Sequence, residues 1–533
     1  MASRRTGIRH IFAGGLATDF GPSTTVEIGA DGIARLPFLT RAENIVYELD
    51  GGIRKAPGAA KINASALESG AVIHGAFDCW FSGTTGSATQ HRIISIGAKI
   101  KKDDADGTFT DLFTGLSSGA VPSFAMLEDL LIIGLHSTDV PKSWDGSTAQ
   151  NLAGSPPNFG IVTRHKNRLW AADVWAYPSR LYYSPLLDPE NTTAEGWGHI
   201  DIDPDDGDVI TGLYSHLGDL IVFKGPYVGS IHRIQGSAPT GSDAFRKPDG
   251  LKRGVSAAWQ NLIFPVGDDL GFMWANGTVH TLKAVEAYGD YNSSMWTRPI
   301  QTLISRINFA RMKNHWAATG GCRTGDTVLF SLSMDGASAN NFTLGMDNRF
   351  DPPRWFTWPA YENASIASMV DASASNRRCF MAGGTDGFVR KYYQLARVID
   401  ESTPISMHVK TPAIDYNEPF LTKTLGAGYL EFVPKNAGDI GFFIRRDSQS
   451  RQDFSVSQGA GDPLGTVAGT QFTLGTSELA AGEAVKSFFQ FEDGGDFRQI
   501  IYEFENDEAG EDVEIHSFGI SIEVGAESHE NDL

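Results

Sequence analysis

The densest run of potential metal ligands in the chain is "HIDIDPDDGDV", residues 199–209. Asp201, Asp203, Asp205 and Asp208 could supply the carboxylate oxygens that a hard cation such as Ca²⁺ takes. An EF-hand loop needs Gly at its sixth position and Glu at its twelfth. Counted from Asp201, Gly207 is seventh and Gly212 is twelfth, so that motif fails. The four carboxylates stand either as a Ca²⁺ site of another kind or as a solvated turn between repeats. "KKDDADGT", residues 101–108, reads as a polar hairpin tip.

Catalytic signatures are absent from the sequence. The 13 histidines are scattered, and none falls in H-E-x-x-H. There is no G-x-S-x-G nucleophile elbow and no phosphate-cradling glycine loop. "SWDGST", residues 143–148, holds the letters of a sialidase-type box in the wrong spacing and has no second copy. A glycosidase needs two carboxylates in one cleft, and the residues point to no such pair. The expectation is a protein that is not an enzyme and that takes no cofactor.

The formal net charge is −20 over 533 residues, and it is uneven. From Glu478 to Leu533 sixteen Asp/Glu face only Lys486 and Arg498, which leaves −14 in the last 56 residues. Gripping phosphates requires the opposite sign. Stable nucleic-acid binding is therefore not expected, although an acidic wall would let DNA slide past without sticking. The alternative is a solvated acidic face. No run of about 20 apolar residues offers a membrane span, and the N-terminus does not build a secretory signal. Cys79, Cys322 and Cys379 are too dispersed for a disulfide framework or a zinc site.

The elements that must position these residues are strands. Gly is frequent at 59 residues and aromatics reach 11%, which suits short strands and tight turns. From about residue 70, units of Val/Ile/Leu/aromatic runs bounded by Gly, Asp, Asn or Pro recur at the spacing of four-stranded blades. Asp145-Gly146, Asn276-Gly277 and Asp386-Gly387 turn hairpins at comparable places in three of them. The expected fold is all-β: a β-propeller of about six blades over residues 69–400, an extended N-terminal platform segment over 1–68, and a β-sandwich-like domain over 401–533. An irregular array of sandwiches is the alternative to the propeller. A single helix is predicted over 293–313, with Ile300, Leu303, Ile304, Ile307 and Met312 on its apolar stripe.

The N-terminal segment contains "NIVYELDGGIRKAPGAAKIN", residues 44–63. A strand leads to the Asp50-Gly51-Gly52 turn, then to Arg54, Lys55, Pro57 and Gly58. Two readings remain open. Arg54 and Lys55 are solvent-facing charges after a turn, or Asn44, Arg54, Lys55, Pro57 and Gly58 form a contact strip for a neighbouring subunit, held extended by Pro57.

"AENIVYELDGGIRKAPG" resembles an N-terminal signature of the tail-nozzle and packaged-DNA-stabilisation (tail hub) proteins of short-tailed bacteriophages. "RLYYSPLLDPEN" and "DGDVITGLYSHLGDLIVFKGPYVGSIHRIQG", within residues 180–236, are similar to their middle region. "FRQIIYEFEN" and "VEIHSFGISIEV", within residues 497–524, look like their closing strand pair. The resemblance implies a propeller flanked by a platform built from the N- and C-terminal segments. It implies a homo-oligomeric ring, usually a hexamer, below the portal and a tail adaptor protein. Such a ring anchors tail fibres or spikes and conducts DNA through its channel without specific binding or membrane insertion. The location implied is the virion tail, assembled in the host cytoplasm. The competing reading is a receptor-binding or tail-tip propeller, whose aromatic loops such as "WAADVWAYP", residues 170–178, recognise a host surface glycan. A capsule depolymerase is a third.

Overall fold

Short alternating runs separated by tight turns give an almost purely β chain, 53% strand and 5% helix, in a computed structural model. It describes residues 4–524 apart from 22, 25, 27, 32, 83–87, 137–138, 192–195, 248–253, 284, 286–294, 321–326, 372–376, 395–396, 401, 435–437, 448–450, 459–483 and 492–495. Cys322 and much of the acidic C-terminal run lie outside the described residues. Among the described residues, no helix is long and apolar enough to cross a membrane.

The chain forms two compact units. One comprises residues 61–344 and 361–393, and the other residues 1–60, 345–360 and 394–533. The three consecutive segments expected from the sequence are therefore not the folding units. Residues 1–60 and 394–533 build one body together, because strands far apart in sequence complete the same sheets.

The first unit is the β-propeller. In chain order it holds three four-stranded antiparallel meanders, starting at Ile73–Ser82, Ser123–Leu127 and Ile161–His165. Two three-stranded meanders follow, starting at Val209–His216 and Ile263–Val266. Next come the hairpin of Trp316–Gly320 with Thr327–Leu332 and the meander of Ser365–Asp371, Arg377–Gly383 and Val389–Gln394. The propeller architecture is the one the repeat spacing predicts.

Apolar residues on alternate positions of each sheet meet those of the next. Ile93 and Ile100 pack with Leu131, Ile133 and Trp144; Ala125 and Leu127 pack with Val162 and Leu169. Ile161 and Trp170 pack with Leu213 and Val222, and Phe223 with Leu270 and Phe272. The ring closes where Met369, Cys379 and Met381 of the last meander pack on Ile73, Ala76 and Ile94 of the first. Each interface buries several large apolar side chains, worth roughly 1.5–3 kcal/mol apiece relative to exposure.

The predicted helix over 293–313 is not continuous. Its described part is a 3₁₀ turn at Arg298–Ile300, one α-turn at Gln301–Ile304, and a 3₁₀ stretch at Phe309–Asn314. The break has a cause. The Asn308 N–H donates to Ser333 O at 2.8 Å instead of to its own helix, and Ile307 bridges Met334. The apolar stripe is nevertheless buried, with Ile300, Leu303, Ile304, Ile307 and Met312 all in the core.

The second unit is a two-sheet sandwich. Arg4–Ile11 runs antiparallel to Val513–Val524, from Arg4↔Val524 to His10↔Phe518, and Lys423–Pro434 flanks the same strand on its other edge. In the facing sheet Ile500–Asn506 lies between Gly438–Arg446 and Met407–Lys410. Phe442, Tyr502, Phe504 and Phe518 form the filling, with ring centroids 4.8–6.1 Å apart. The His10 ring stacks on Phe518 at 4.5 Å.

Candidate functional site

The strip singled out near the N-terminus is interior. Asn44, Lys55, Pro57 and Gly58 are buried within the sandwich unit, and Arg54 is partly buried. Asn44 sits in the left-handed region at φ 52°, and its Nδ2 donates to Ser406 O at 2.6 Å. Ile53–Lys55 pairs with Ile45–Tyr47 across the Asp50-Gly51-Gly52 turn, in which Gly51 takes φ 90°. On its other edge it pairs with Val513–Val524. Arg54 donates through Nε to Asp512 Oδ1 at 3.0 Å and also pairs with it through Nη2; Glu514 is 3.7 Å away. Lys55 donates through Nζ to Asn506 Oδ1 at 2.5 Å and Glu508 O at 2.8 Å. Burial pushes the Lys55 ammonium down to about 8, against the pull of Glu511 and Asp507. Lys55 is not a solvent-facing charge, and Asn44, Lys55, Pro57 and Gly58 are not a surface strip; Arg54 alone keeps partial exposure. They complete this chain's own sheets and ion pairs, which leaves Asn44, Lys55, Pro57 and Gly58 out of a partner's reach.

The aspartates of 199–209 diverge. Asp201 accepts from Arg180 Nε at 2.7 Å, and Asp203 pairs with Lys247. Asp208 is buried and accepts the backbone N–H groups of Tyr227 and Gly229, both at 2.8 Å. Asp205 is exposed. The neighbour Asp206 holds Lys224 at 2.7 Å. Lysine, arginine and backbone donors take up the oxygens of Asp201, Asp203 and Asp208, and Asp205 is left exposed apart from them, so Asp201, Asp203, Asp205 and Asp208 do not form a cation site.

Among the described residues, one other group has metal-compatible spacing: His408, Glu503 and Glu505 in the sandwich unit. The sequence reading missed it, although His408↔Glu505 and Lys410↔Glu503 are direct cross-strand pairs. Glu503 lies 3.0 Å from Lys410 and 3.5 Å from Arg451, while Arg451 forks onto Glu505 at 2.7 and 2.8 Å. That is a charge-balanced ion network across two strands, whose carboxylates are already neutralised. The same sheet borders a cavity of about 490 Å³ with Asp439, Asp507, Glu508 and Glu511 in its wall.

The propeller unit holds a different kind of site. First strands of most successive meanders pack together, Ser123–Leu127 on Ile161–His165, Trp316–Gly320 on Ser365–Asp371, and Ser365–Asp371 on Ile73–Ser82 where the ring closes, so these strands line the propeller axis. Val72, Val121, Asn314 and Ala364 each lie one or two residues ahead of such a strand, and all four wall a single pocket of about 60 Å³. Its polar lining is His74, Arg311, Asn314, Ser338 and Asn340. Asn340 is buried and spends its Nδ2 on Asn314 O at 2.9 Å, Ala364 O at 3.0 Å and Ser331 Oγ at 3.0 Å. Its Oδ1 is buried with no donor, and Arg311 Nε is buried with no acceptor. Burial, and then the charge of Arg311, holds the His74 imidazole below its usual range, and the same two causes push His315 behind it down to about 4. The pocket offers one guanidinium among neutral hydrogen-bonding groups. Among the described residues of its wall, no nucleophile is hydrogen-bonded to a base. No short motif marks it, because its lining comes from loops more than 200 residues apart.

No protein-family model matches this chain, and no curated protein matches it. Among solved structures, "YCF48 bound to D1 peptide" is similar over 64% of this chain and 98% of its own, at 12% identity and a TM-score of 0.35. The computationally designed Ika8 protein is similar over 63% and 99%, at 12% identity and a TM-score of 0.34. An S. cerevisiae Dbp5 complex with Nup159, Gle1, IP6 and ADP gives 8% identity and a TM-score of 0.38, over 66% and 98%.

Proposed function

We propose that this chain is a structural subunit of a short bacteriophage tail, a nozzle or hub ring that closes the DNA channel, retains packaged DNA and conducts it at ejection. The observation that carries the reading is the joint platform. Residues 1–60 and 394–533 share one sandwich, while the propeller is a separate compact unit. This is the organisation implied by the family that the sequence resembles. The acidic balance of −20 suits a passage that DNA must cross without adhering. In this reading copies associate head to tail into a closed ring, with six the number the resemblance implies. They meet a tail adaptor on one side and fibres or spikes on the other. The ring resides in the virion tail after assembly in the host cytoplasm, and no enzymatic step is required.

The test is the mass of the full-length chain by light scattering, alone and with the portal–adaptor complex, together with its presence in purified particles. A defined cyclic multiple and particle association support the reading. A monomer under both conditions, absent from particles, sinks it. Deleting residues 1–63 is not a clean probe, because it strips Arg4–Ile11 and Ile53–Lys55 from the sandwich.

One observation favours glycan recognition as a second reading. Trp170 of "WAADVWAYP" is buried, but Trp175 is 81% exposed, as is Tyr227 at 80%. Asp208 ties their two loops together, accepting at its carbonyl from Ser179 Oγ at 3.0 Å and at its carboxylate from the Tyr227 N–H. Exposed rings on adjacent loops are a surface on which sugar faces stack. Host-polysaccharide binding that falls in Trp175→Ala and Tyr227→Ala would favour this reading; adsorption unchanged by both counts against it.

A further inference from the structure

We propose that the pocket at the starts of the inner propeller strands binds a small protonated oxyanion, of which hydrogenphosphate is the type. Arg311 supplies the charge. Among the described residues it has no carboxylate partner, and its Nε is buried without an acceptor. A buried or half-buried charge is costly unless paired. The wall contains no Asp or Glu, although the protein carries 64 of them and a net charge of −20. Water alone leaves that cation without a counter-charge, whereas an oxyanion accepts from the guanidinium in a strong charge-assisted bond.

Asn340 narrows the class. Its Nδ2 is occupied by the chain itself, and its buried Oδ1 still requires a donor. A fully deprotonated sulfate or acetate has no O–H to give; hydrogenphosphate has one. Asn314 and Ser338 add polar groups to the same wall. The volume of about 60 Å³ is several times the roughly 10–15 Å³ that one water needs on the same measure, room for one tetrahedral oxyanion. The site stands whether or not the chain belongs to a phage tail.

The experiment is a calorimetric titration of the full-length protein with inorganic phosphate at constant ionic strength, with sulfate and acetate run alongside. One saturable phosphate site per chain is expected, with sulfate and acetate weaker by about tenfold, the worth of one hydrogen bond to a charged group. Arg311→Gln is expected to weaken phosphate by about tenfold or more. Absence of saturable binding overturns the proposal, as does equal affinity for sulfate or unchanged affinity in Arg311→Gln. If Arg311→Gln does not fold, the wild-type protein still decides. Phosphate must move the His74 imidazole resonances and raise that group's pKa by compensating the Arg311 charge, and resonances that stay still overturn the assignment.

Discussion

Lys55 Nζ lies 2.5 Å from Asn506 Oδ1 with no solvent exposure, which joins the Ile53–Lys55 strand to the end of Ile500–Asn506 inside the sandwich. Removing the ammonium leaves both Asn506 Oδ1 and Glu508 O without that donor. Lys55→Ala is expected to cost about 2–4 kcal/mol in urea unfolding, from the stranded acceptors and the lost stem volume. The pH dependence has a definite sign. Burial lowers the folded pKa to about 8 from 10.5, so the unfolded chain binds more protons between those values. Stability from this group therefore rises with pH across about 8 to 10.5, and Lys55→Ala should flatten that rise.

Asp512 sits between two guanidiniums. Arg54 pairs with it through two nitrogens, and Arg397 Nε lies 3.0 Å from it. Although burial opposes it, these partners hold the Asp512 carboxyl below its usual range. Its contribution is present above the ordinary carboxylate range and is lost as pH falls through the lowered folded value. Asp512→Asn is expected to destabilise by about 2–4 kcal/mol, because it leaves the buried Arg397 and the partly buried Arg54 facing a neutral group. Arg54→Gln should cost less, since Arg397 remains. Denaturant midpoints of the two variants at neutral pH check the order.

Three propeller histidines are held neutral. Burial is the first cause in each, pushing His165, His232 and His315 down to about 4. Below pH 6.5 the unfolded chain takes up protons that the folded chain refuses, so stability falls as pH drops from about 6.5 toward 4. His315 has a specific brace, the Ser333 N–H donating to its Nε2 at 3.2 Å. His315→Gln should lower stability at pH 7.5 yet show a shallower loss between pH 6.5 and 4.5. A loss as steep as that of the wild type would show that His315 is not one of the groups responsible.

Trp170 is fully buried at the interface between two propeller meanders, where its Nε1 donates to His165 O at 3.2 Å and its ring meets Phe245 at 4.8 Å. Trp170→Ala is expected to cost about 3–5 kcal/mol. Trp175→Ala, five residues on and exposed, should stay within about 0.5 kcal/mol. Thermal melts of the pair separate a blade-core ring from a surface ring in one loop.

Gly14 packs against the backbone of Pro37 so closely that an added Cβ would collide with the Pro37 carbonyl and the Phe38 nitrogen. Backbone cannot turn aside as a side-chain tip can. Gly14→Ala is therefore expected to destabilise the sandwich by about 3 kcal/mol or more. The same change at Gly97 tests strain rather than space, because Gly97 has φ 57° and nothing within 4 Å of an added Cβ. Its cost should be about 1 kcal/mol.

Local patterning made the strands, the hairpin turns and the propeller class legible. A two-residue period, an Asp-Gly turn and a recurring spacing are properties of short segments, and neighbouring segments pair with one another. Tertiary structure decided everything that depends on residues distant in sequence. Arg54 and Lys55 read as surface charges until Asp512, Asn506 and Glu508 arrive beside them from more than 450 positions away. Part of the acidic C-terminal run likewise reads as a solvated face, yet Glu503, Glu514 and Asp512 are internal counter-ions. The four aspartates of 199–209 resemble a cation loop because composition is local, but only the fold supplies Arg180, Lys247 and the Tyr227 N–H to occupy them. The Arg311 pocket carried no signal at all, since its walls gather at the propeller axis from four separate strand starts. Charge and hydrogen-bond donors act across a few ångströms of space, and the sequence orders residues along the chain, not through space.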